Sequence, residues 1–351
     1  MVLLHRSYMM IKKILVVKMS SLGDLLHTMP AVSDALANME GLQIDWLCEE
    51  PFVDIARLHP GVRVVPHGRL RWKKRRLAFA TLKEQWLFYK SLRQQHYDLV
   101  IDAQGRIKSA RVAWLSGAPV YGPDKNSATD SETRMFYKQG IATQSVDNAV
   151  DKVRLLFAKT LGYELSGPAD FGIDPEKLAP CPEQWQGQYV FLHGTTWQSK
   201  HWPESEWIRL LELARDKGQG VLLPWANDEE KCRADRVVSQ ANWGEVLPKM
   251  PLWELCGIIA RSLGAVGVDT GLMHVAAAME IPTVSIFGST SVALTGAQGK
   301  NVTNLQADYE CSPCRKKVCP RPENGVPPCY GSLPGDYVWK ELQMVMGSSS
   351  R

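Results

Sequence analysis

Ile14-Leu15-Val16-Val17, followed by Lys18-Met19-Ser20-Ser21-Leu22-Gly23-Asp24, is the stretch on which the fold turns. Four consecutive apolar residues, three of them β-branched, suit a strand covered on both faces in a parallel sheet; a strand with one wet face would alternate. The small polar turn behind it leads into a helix expected from Leu25 to Asn38. Further strands are expected at 44–47, 62–65 and 99–102, with a helix at 79–94, so strand and helix alternate and the first half reads as a doubly wound α/β domain.

Working outward, a helical pattern at 147–161 gives way to Gly162, Ser166, Gly167, Pro168 and Pro175, and Pro180, Pro182 and Gly187 extend the break. A second alternation then begins. Strands are expected at 189–193, 220–223, 265–268 and 283–287, and helices at 204–217, 228–239, 252–261 and 271–279. The division expected is a Rossmann-like domain over 1–165, a linker over 166–187, a second Rossmann-like domain over 188–333 with a Cys-rich tail, and a terminal helix over 334–346 packing back toward the first domain. Gly347 to Arg351 read as a frayed tail. In such sheets ligands bind beyond the carboxyl ends of the strands, so the loops after Val17, Asp102, His193, Leu223, Val268 and Phe287 are the candidate positions.

A length of 351 residues favours two cores over one. The formal net charge of +4 is too small for a general nucleic-acid binder, but Arg69, Arg71, Lys73, Lys74, Arg75 and Arg76 fall close together. That cluster reads either as a site for anionic head groups or phosphorylated ligands, or as a solvated helix face. No run approaches the ~18–20 apolar residues of a spanning helix, and Lys12 and Lys13 interrupt the apolar N-terminal runs, so export is not expected. Cys48, Cys181, Cys232 and Cys256 read as reduced thiols of a cytosolic enzyme.

Three loops carry the unusual residues. In Ser20-Ser21-Leu22-Gly23-Asp24 the glycine permits close approach to a ligand and the helix behind offers N–H groups to an anion; Asp24 is either a catalytic carboxylate or a helix N-cap. It has no paired acid, which fits an inverting transfer with a lone base rather than two-carboxylate hydrolysis. In the loop from His193 to Pro203, Thr195, Thr196 and Lys200 can hold diphosphate oxygens, or the segment is a surface loop with Pro203 in the first helical turn. Asp269-Thr270-Gly271-Leu272-Met273-His274 again sets a helix N-terminus behind a buried strand, with His274 either touching a phosphate or packing. Two supporting stretches, 102–109 and 224–230, offer polar side chains or caps. Cys311, Cys314, Cys319 and Cys329 could form a four-thiolate zinc site, disulfides, or stand as free thiols.

KMSSLGDLLHTMP from Lys18 resembles the opening motif of the lipopolysaccharide heptosyltransferases, and DAQGRIKSA from Asp102, LFAKTLGY from Leu156, HGTTWQSKHWP from His193, VLPKM from Val246 and VDTGLMH from Val268 match in order and spacing. The resemblance implies a GT-B fold, two facing Rossmann-like domains with a central cleft. It implies inverting transfer of L-glycero-D-manno-heptose from ADP-heptose to Kdo of lipid A, with no cofactor required, at the cytoplasmic face of the inner membrane. A later heptose transfer, or another nucleotide-sugar enzyme of this architecture, is the alternative. By the same likeness Asp24 is the general base. Thr195, Thr196, Lys200, Glu230, Asp269, Thr270, Gly271 and His274 bind the donor, and Ser21, Gly23, Arg71, Lys73, Lys74, Gln104 and Lys108 bind the acceptor. Thr129 stands where relatives carry an arginine, with Arg134 the nearest substitute. The expected partners are the donor, the acceptor and an anionic membrane surface, and no nucleic acid.

Overall fold

The computed structural model describes residues 11–75, 78–323 and 325–349. Arg76 of the basic stretch, the first ten residues and 350–351 lie outside them. The chain divides into two compact units, Met1–Gly172 and Ile173–Arg351.

The first unit holds strands β1 Lys13–Val17, β2 Gln43–Glu49, β3 Val62–His67, β4 Leu99–Asp102, β5 Val120–Pro123 and β6 Gln139–Ile141, with helices α1 Leu22–Leu26, α2 Met29–Asn38, α3 Val53–Ala56, α4 Arg69–Lys74, α5 Phe79–Arg93, α6 Ile107–Leu115 and α7 Ala149–Leu161. Its strands are ordered β3-β2-β1-β4-β5-β6 and all neighbours are parallel. Val17, the last residue of β1, pairs with Leu47 on one side and Asp102 on the other. Ile14 to Val17 are fully buried, which accounts for their unbroken apolar run. The order reverses between β1 and β4, so the connections leaving these strands diverge and a crevice opens where the loops at 18–21 and 103–106 begin.

The single helix expected over 25–38 is two. Pro30 lacks an N–H and its ring would meet the carbonyl of Leu26 in a continuous helix. Accordingly α1 stops at Leu26, Thr28 caps α2, and Pro30 sits in the first turn. Helix α7 starts on Asn148, whose side chain accepts the N–H of Val150, and ends at Gly162 in the left-handed region at φ 85°. It packs on α2 through the buried Arg154–Asp34 ion pair at 2.7 Å.

The second unit holds β7 Tyr189–Leu192, β8 Val221–Leu223, β9 Glu245–Val246, β10 Gly264–Val268, β11 Thr283–Phe287 and β12 Val302–Gln306, with α8 Glu204–Arg215, α9 Asp228–Ala241, α10 Leu252–Ala260, α11 Gly271–Ala278, α12 Val292–Thr295 and α13 Gly335–Ser349. Its parallel sheet, β12-β11-β10-β7-β8-β9, repeats the topology of the first, with the reversal between β7 and β10. Helix α13 corrects one expectation. It runs to Ser349, so 347–349 are helical rather than a frayed tail. It also packs on α8 and on β10, β11 and β12 of its own unit, because Val338, Trp339 and Leu342 complete that unit's core beside Trp207 and Tyr330.

Candidate active site

Each unit presents polar groups at its topological switch point, and each set is described within its own unit.

In the first unit Ser21 is the N-cap of α1 and Asp24 its third residue. The Asp24 carboxylate turns back on the cap: Oδ2 accepts the Ser21 N–H and hydroxyl, both at 2.9 Å, and Oδ1 stands 3.4 Å from Lys18 Nζ. Asp24 is therefore not the cap itself, and its own carboxylate occupies the helix end that the sequence offered to an external anion. Partial burial raises its pKa, but Lys18, Ser21 and His27 outweigh that and hold it at about 2. Its side chain is still 47% exposed, so a fixed anion faces solvent beyond the carboxyl end of β1.

The loop around it is tied to the loop after β4. Gln104 accepts the Met19 N–H at 3.0 Å and donates to the Ser20 carbonyl at 2.9 Å, Lys108 donates to the Ser20 hydroxyl at 3.1 Å, and Lys18 donates to the Ala103 carbonyl at 3.0 Å. Beneath them Asp102 is fully buried and accepts from Gln104 N, Gly105 N, Ser109 Oγ and Tyr137 OH, donors that oppose the upward push of burial on its carboxyl. Gln104, expected at the acceptor, thus has both ends of its amide on the backbone of the Asp24 loop. Gly23 lies within α1. Thr129 donates its N–H to the Gly105 carbonyl, and Arg134 is exposed in the 3-10 turn at 131–136.

The basic stretch forms α4, and its members part company. Arg71 is held between Glu50 at 2.9 Å and Glu84 at 2.7 Å. Arg69 binds Glu49 at 2.8 Å. Lys73, with Arg69, Lys108 and Arg111, lines an open groove of about 250 Å³ floored by Trp72, Tyr89 and Val112, while Lys74 is exposed. Lys18 and Arg111 were not assigned from sequence. Arg111 could have been found from its three-residue spacing to Lys108 on one helix face.

In the second unit the loops after β7 and β10 meet. Lys200 Nζ lies 2.7 Å from Asp269 Oδ2, His274 Nε2 lies 3.7 Å from Oδ1, and the Thr195 hydroxyl donates to the Asp269 carbonyl at 3.3 Å. Burial would raise the Asp269 carboxyl, but His274 and Lys200 carry it well below the usual range. Lys200 also stands 4.7 Å above the Trp197 ring. Thr196 is exposed, and Thr270 caps α11 without a side-chain hydrogen bond, leaving the first-turn N–H groups at Gly271 to be met by a ligand or water. Glu230, in the first turn of α9, accepts the Ala226 N–H at 2.7 Å and lies against Gly194, where a Cβ would come within 2.7 Å of the carboxyl carbon. The arrangement combines an ammonium, a helix N-terminus and hydroxyls, which suits a diphosphate. Pro203 immediately precedes α8, as its cap.

The Cys-rich segment adds a feature. Among the described residues no group of three or more His, Cys, Asp or Glu side chains is arranged to hold a metal, and Cys311, Cys314, Cys319 and Cys329 stand as free thiols, so nothing here supports the zinc reading over the free-thiol one. Burial, with the neighbouring cysteines, pushes the Cys329 thiol up to about 11. The segment braces the Lys200 turn: Ser199 donates its N–H to the Lys317 carbonyl at 3.1 Å, and Tyr330 donates its hydroxyl to the Ser199 carbonyl at 3.2 Å.

Residues 86–324 match glycosyltransferase family 9 (heptosyltransferase). The lipopolysaccharide heptosyltransferase 1 of Pseudomonas aeruginosa is 41% identical over 312 residues, spanning 88% of this chain and 87% of that protein. Among solved structures, the E. coli heptosyltransferase WaaC with ADP superposes with a TM-score of 0.82 at 34% identity, covering 95% of this chain and 99% of that one. The same enzyme with ADP-2-deoxy-2-fluoro heptose gives 0.76 at 35% identity, over 86% and 97%. Two parallel six-stranded α/β sheets and this likeness establish the GT-B fold.

Proposed function

The chain belongs to glycosyltransferase family 9, the heptosyltransferases, and from that premise we propose that it moves L-glycero-D-manno-heptose from ADP-heptose to Kdo of lipid A, with inversion, at the cytoplasmic face of the inner membrane. The observation that carries this reading is Asp24, a lone ionised carboxylate held open at the switch point of a unit whose neighbouring groove is lined by four cations.

In the proposed reaction a Kdo hydroxyl oxygen attacks the anomeric carbon of the heptose as the bond from that carbon to the diphosphate oxygen breaks. Asp24 takes the hydroxyl proton and ADP leaves with the bonding pair. A carboxylate near pKa 2 is a weak base toward a resting alcohol. It suffices here because the hydroxyl becomes strongly acidic only as its oxygen bonds to an oxocarbenium-like carbon. The charge gathering on the diphosphate is met by Lys200, the hydroxyls of Thr195 and Thr196, and the N–H groups at Thr270 and Gly271. Asp269, with His274 beside its other oxygen, holds Lys200, and Glu230 takes the ribose hydroxyls. On the acceptor side Lys73, Lys74 and Lys108 answer phosphate and carboxylate charge, with Ser21 and Gly23 shaping the floor and Arg71 held back by Glu50 and Glu84. Gln104 acts by fixing the backbone of the Asp24 loop.

Mass spectrometry of products from ADP-heptose and heptose-free Kdo-lipid A tests the reading. A gain of one heptose is expected. Transfer only to an acceptor already bearing a heptose would reassign the chain to the later step.

A further inference from the structure

Helix α5 has two faces. Thr81 and Leu92 are buried, and Phe88 and Tyr89 pack toward the core of the first unit. On the opposite side Phe79, Leu82 and Trp86, at spacings of three and seven, form a stripe in which they are 81%, 50% and 60% exposed. Lys83 and Lys90 share that stripe by helical spacing and are exposed, and Lys90 lies 4.9 Å over the Trp86 ring. The one acid of the helix, Glu84, is bound to Arg71. Lys73, Lys74 and Arg75 stand exposed at the end of α4, and α6, whose inner face packs in the same core cluster as α5, adds an exposed Trp114.

An aromatic and aliphatic stripe edged by lysines, with no free acid, has the make-up of a helix lying in the interface of a bilayer that carries negative charge. A second copy of the chain is a poorer occupant, because a two-fold contact through this stripe would set Lys83 and Lys90 against their own copies. We infer that the outer face of α5 is the surface by which the protein docks on anionic phospholipid, with Phe79, Leu82 and Trp86 entering the acyl boundary and Lys83 and Lys90 meeting head groups. This rests on the reading of a lipid-anchored acceptor. The cationic groove begins on the inner flank of the same helix, at Gln85 and Tyr89, and reaches Lys108, which touches the Asp24 loop. Docking by α5 therefore brings the lipid surface to the groove.

The test is flotation of the full chain with vesicles of phosphatidylcholine alone or mixed with phosphatidylglycerol. Co-flotation with the anionic vesicles is expected, weakening as salt rises. Phe79→Glu combined with Trp86→Glu should lower the bound fraction about tenfold or more, and Lys83→Gln with Lys90→Gln about tenfold on anionic vesicles only. Both pairs are exposed, so the fold should survive, and heptose transfer to a deacylated, water-soluble Kdo acceptor should stay at the wild-type rate. Equal flotation of wild type and the Phe79/Trp86 variant overturns the inference, as does equal binding to neutral and anionic vesicles. So does a dimer in sedimentation velocity that the same variant dissociates. If wild type floats through this stripe yet transfers no heptose to the soluble acceptor, the functional reading fails while the docking surface stands.

Discussion

Asp24 and Lys18 set the chemistry at the scale of single residues. With its folded pKa at about 2, below the ordinary ~3.9, Asp24 is ionised at every pH above that value and loses its charge only as pH falls through it. The acid limb of kcat/KM should therefore not come from this carboxyl, and a rate that falls through an apparent pKa near an ordinary carboxylate's would count against Asp24 as base. Asp24→Asn keeps the shape and removes proton affinity, so kcat should drop ~10²–10⁴-fold with ADP affinity unchanged by titration calorimetry. In the other unit, Lys200→Met should weaken ADP binding about tenfold or more, the scale of losing a charge-assisted contact. It should also lower the melting temperature, because Asp269 would lose its ammonium partner and keep a buried charge beside His274 and Thr290. Sequence made Asp24, Lys200 and Asp269 visible because each sits in a polar loop behind an apolar run. It left Arg71 looking like a free phosphate ligand, since Glu50 and Glu84, which hold it, come from other elements. Spacing of four cysteines carried no information on whether their sulfurs converge.

Elements that are covered on both faces or capped locally were the readable ones. β4 and β11 fall where the apolar runs place them, and α7 is bounded by Asn148 and Gly162. Asn148→Ala should cost ~1 kcal/mol in urea unfolding without changing activity, since the lost contact is one side-chain cap. The strands β5, β6 and β12 escaped notice for a shared reason. They lie toward sheet margins, contain Gly122-Pro123, Gly140 or Asn304 and Gln306, and owe their strand state to a neighbour rather than to their own composition. The break between α1 and α2 was legible at Pro30, yet the apolar periodicity on either side masked it. Helix α6 begins directly after the loop that Asp102 organises, where Ser109 both caps the Arg106 N–H and donates to Asp102.

Across the whole molecule, four buried or half-buried histidines tie stability to pH. Burial carries His59, His67, His193 and His201 from 6.5 down to about 4, first by desolvation in each case. In the unfolded chain these rings take up protons near 6.5 and in the folded chain only near 4, so the unfolded state binds more protons between those values and stability falls as pH is lowered through that window. Each ring contributes up to about 1.4 kcal/mol per pH unit there. Melting temperatures that stay level across that span would refute the neutral-histidine picture.

The two switch points also differ in how a ligand would first encounter them. At Lys200 the ammonium is already matched by Asp269, so the local field reaching into solvent is small and capture of a nucleotide depends on short-range fit. At the α4–α6 groove Lys73, Lys108 and Arg111 add to one another, and Glu49, which pairs with Arg69, and Asp24 offset only part of that charge, so field lines extend outward and draw anions in. Stopped-flow association rates should therefore fall steeply with ionic strength for a phosphorylated acceptor fragment and only slightly for ADP. One protein would then have one substrate gathered by long-range attraction and the other selected on contact.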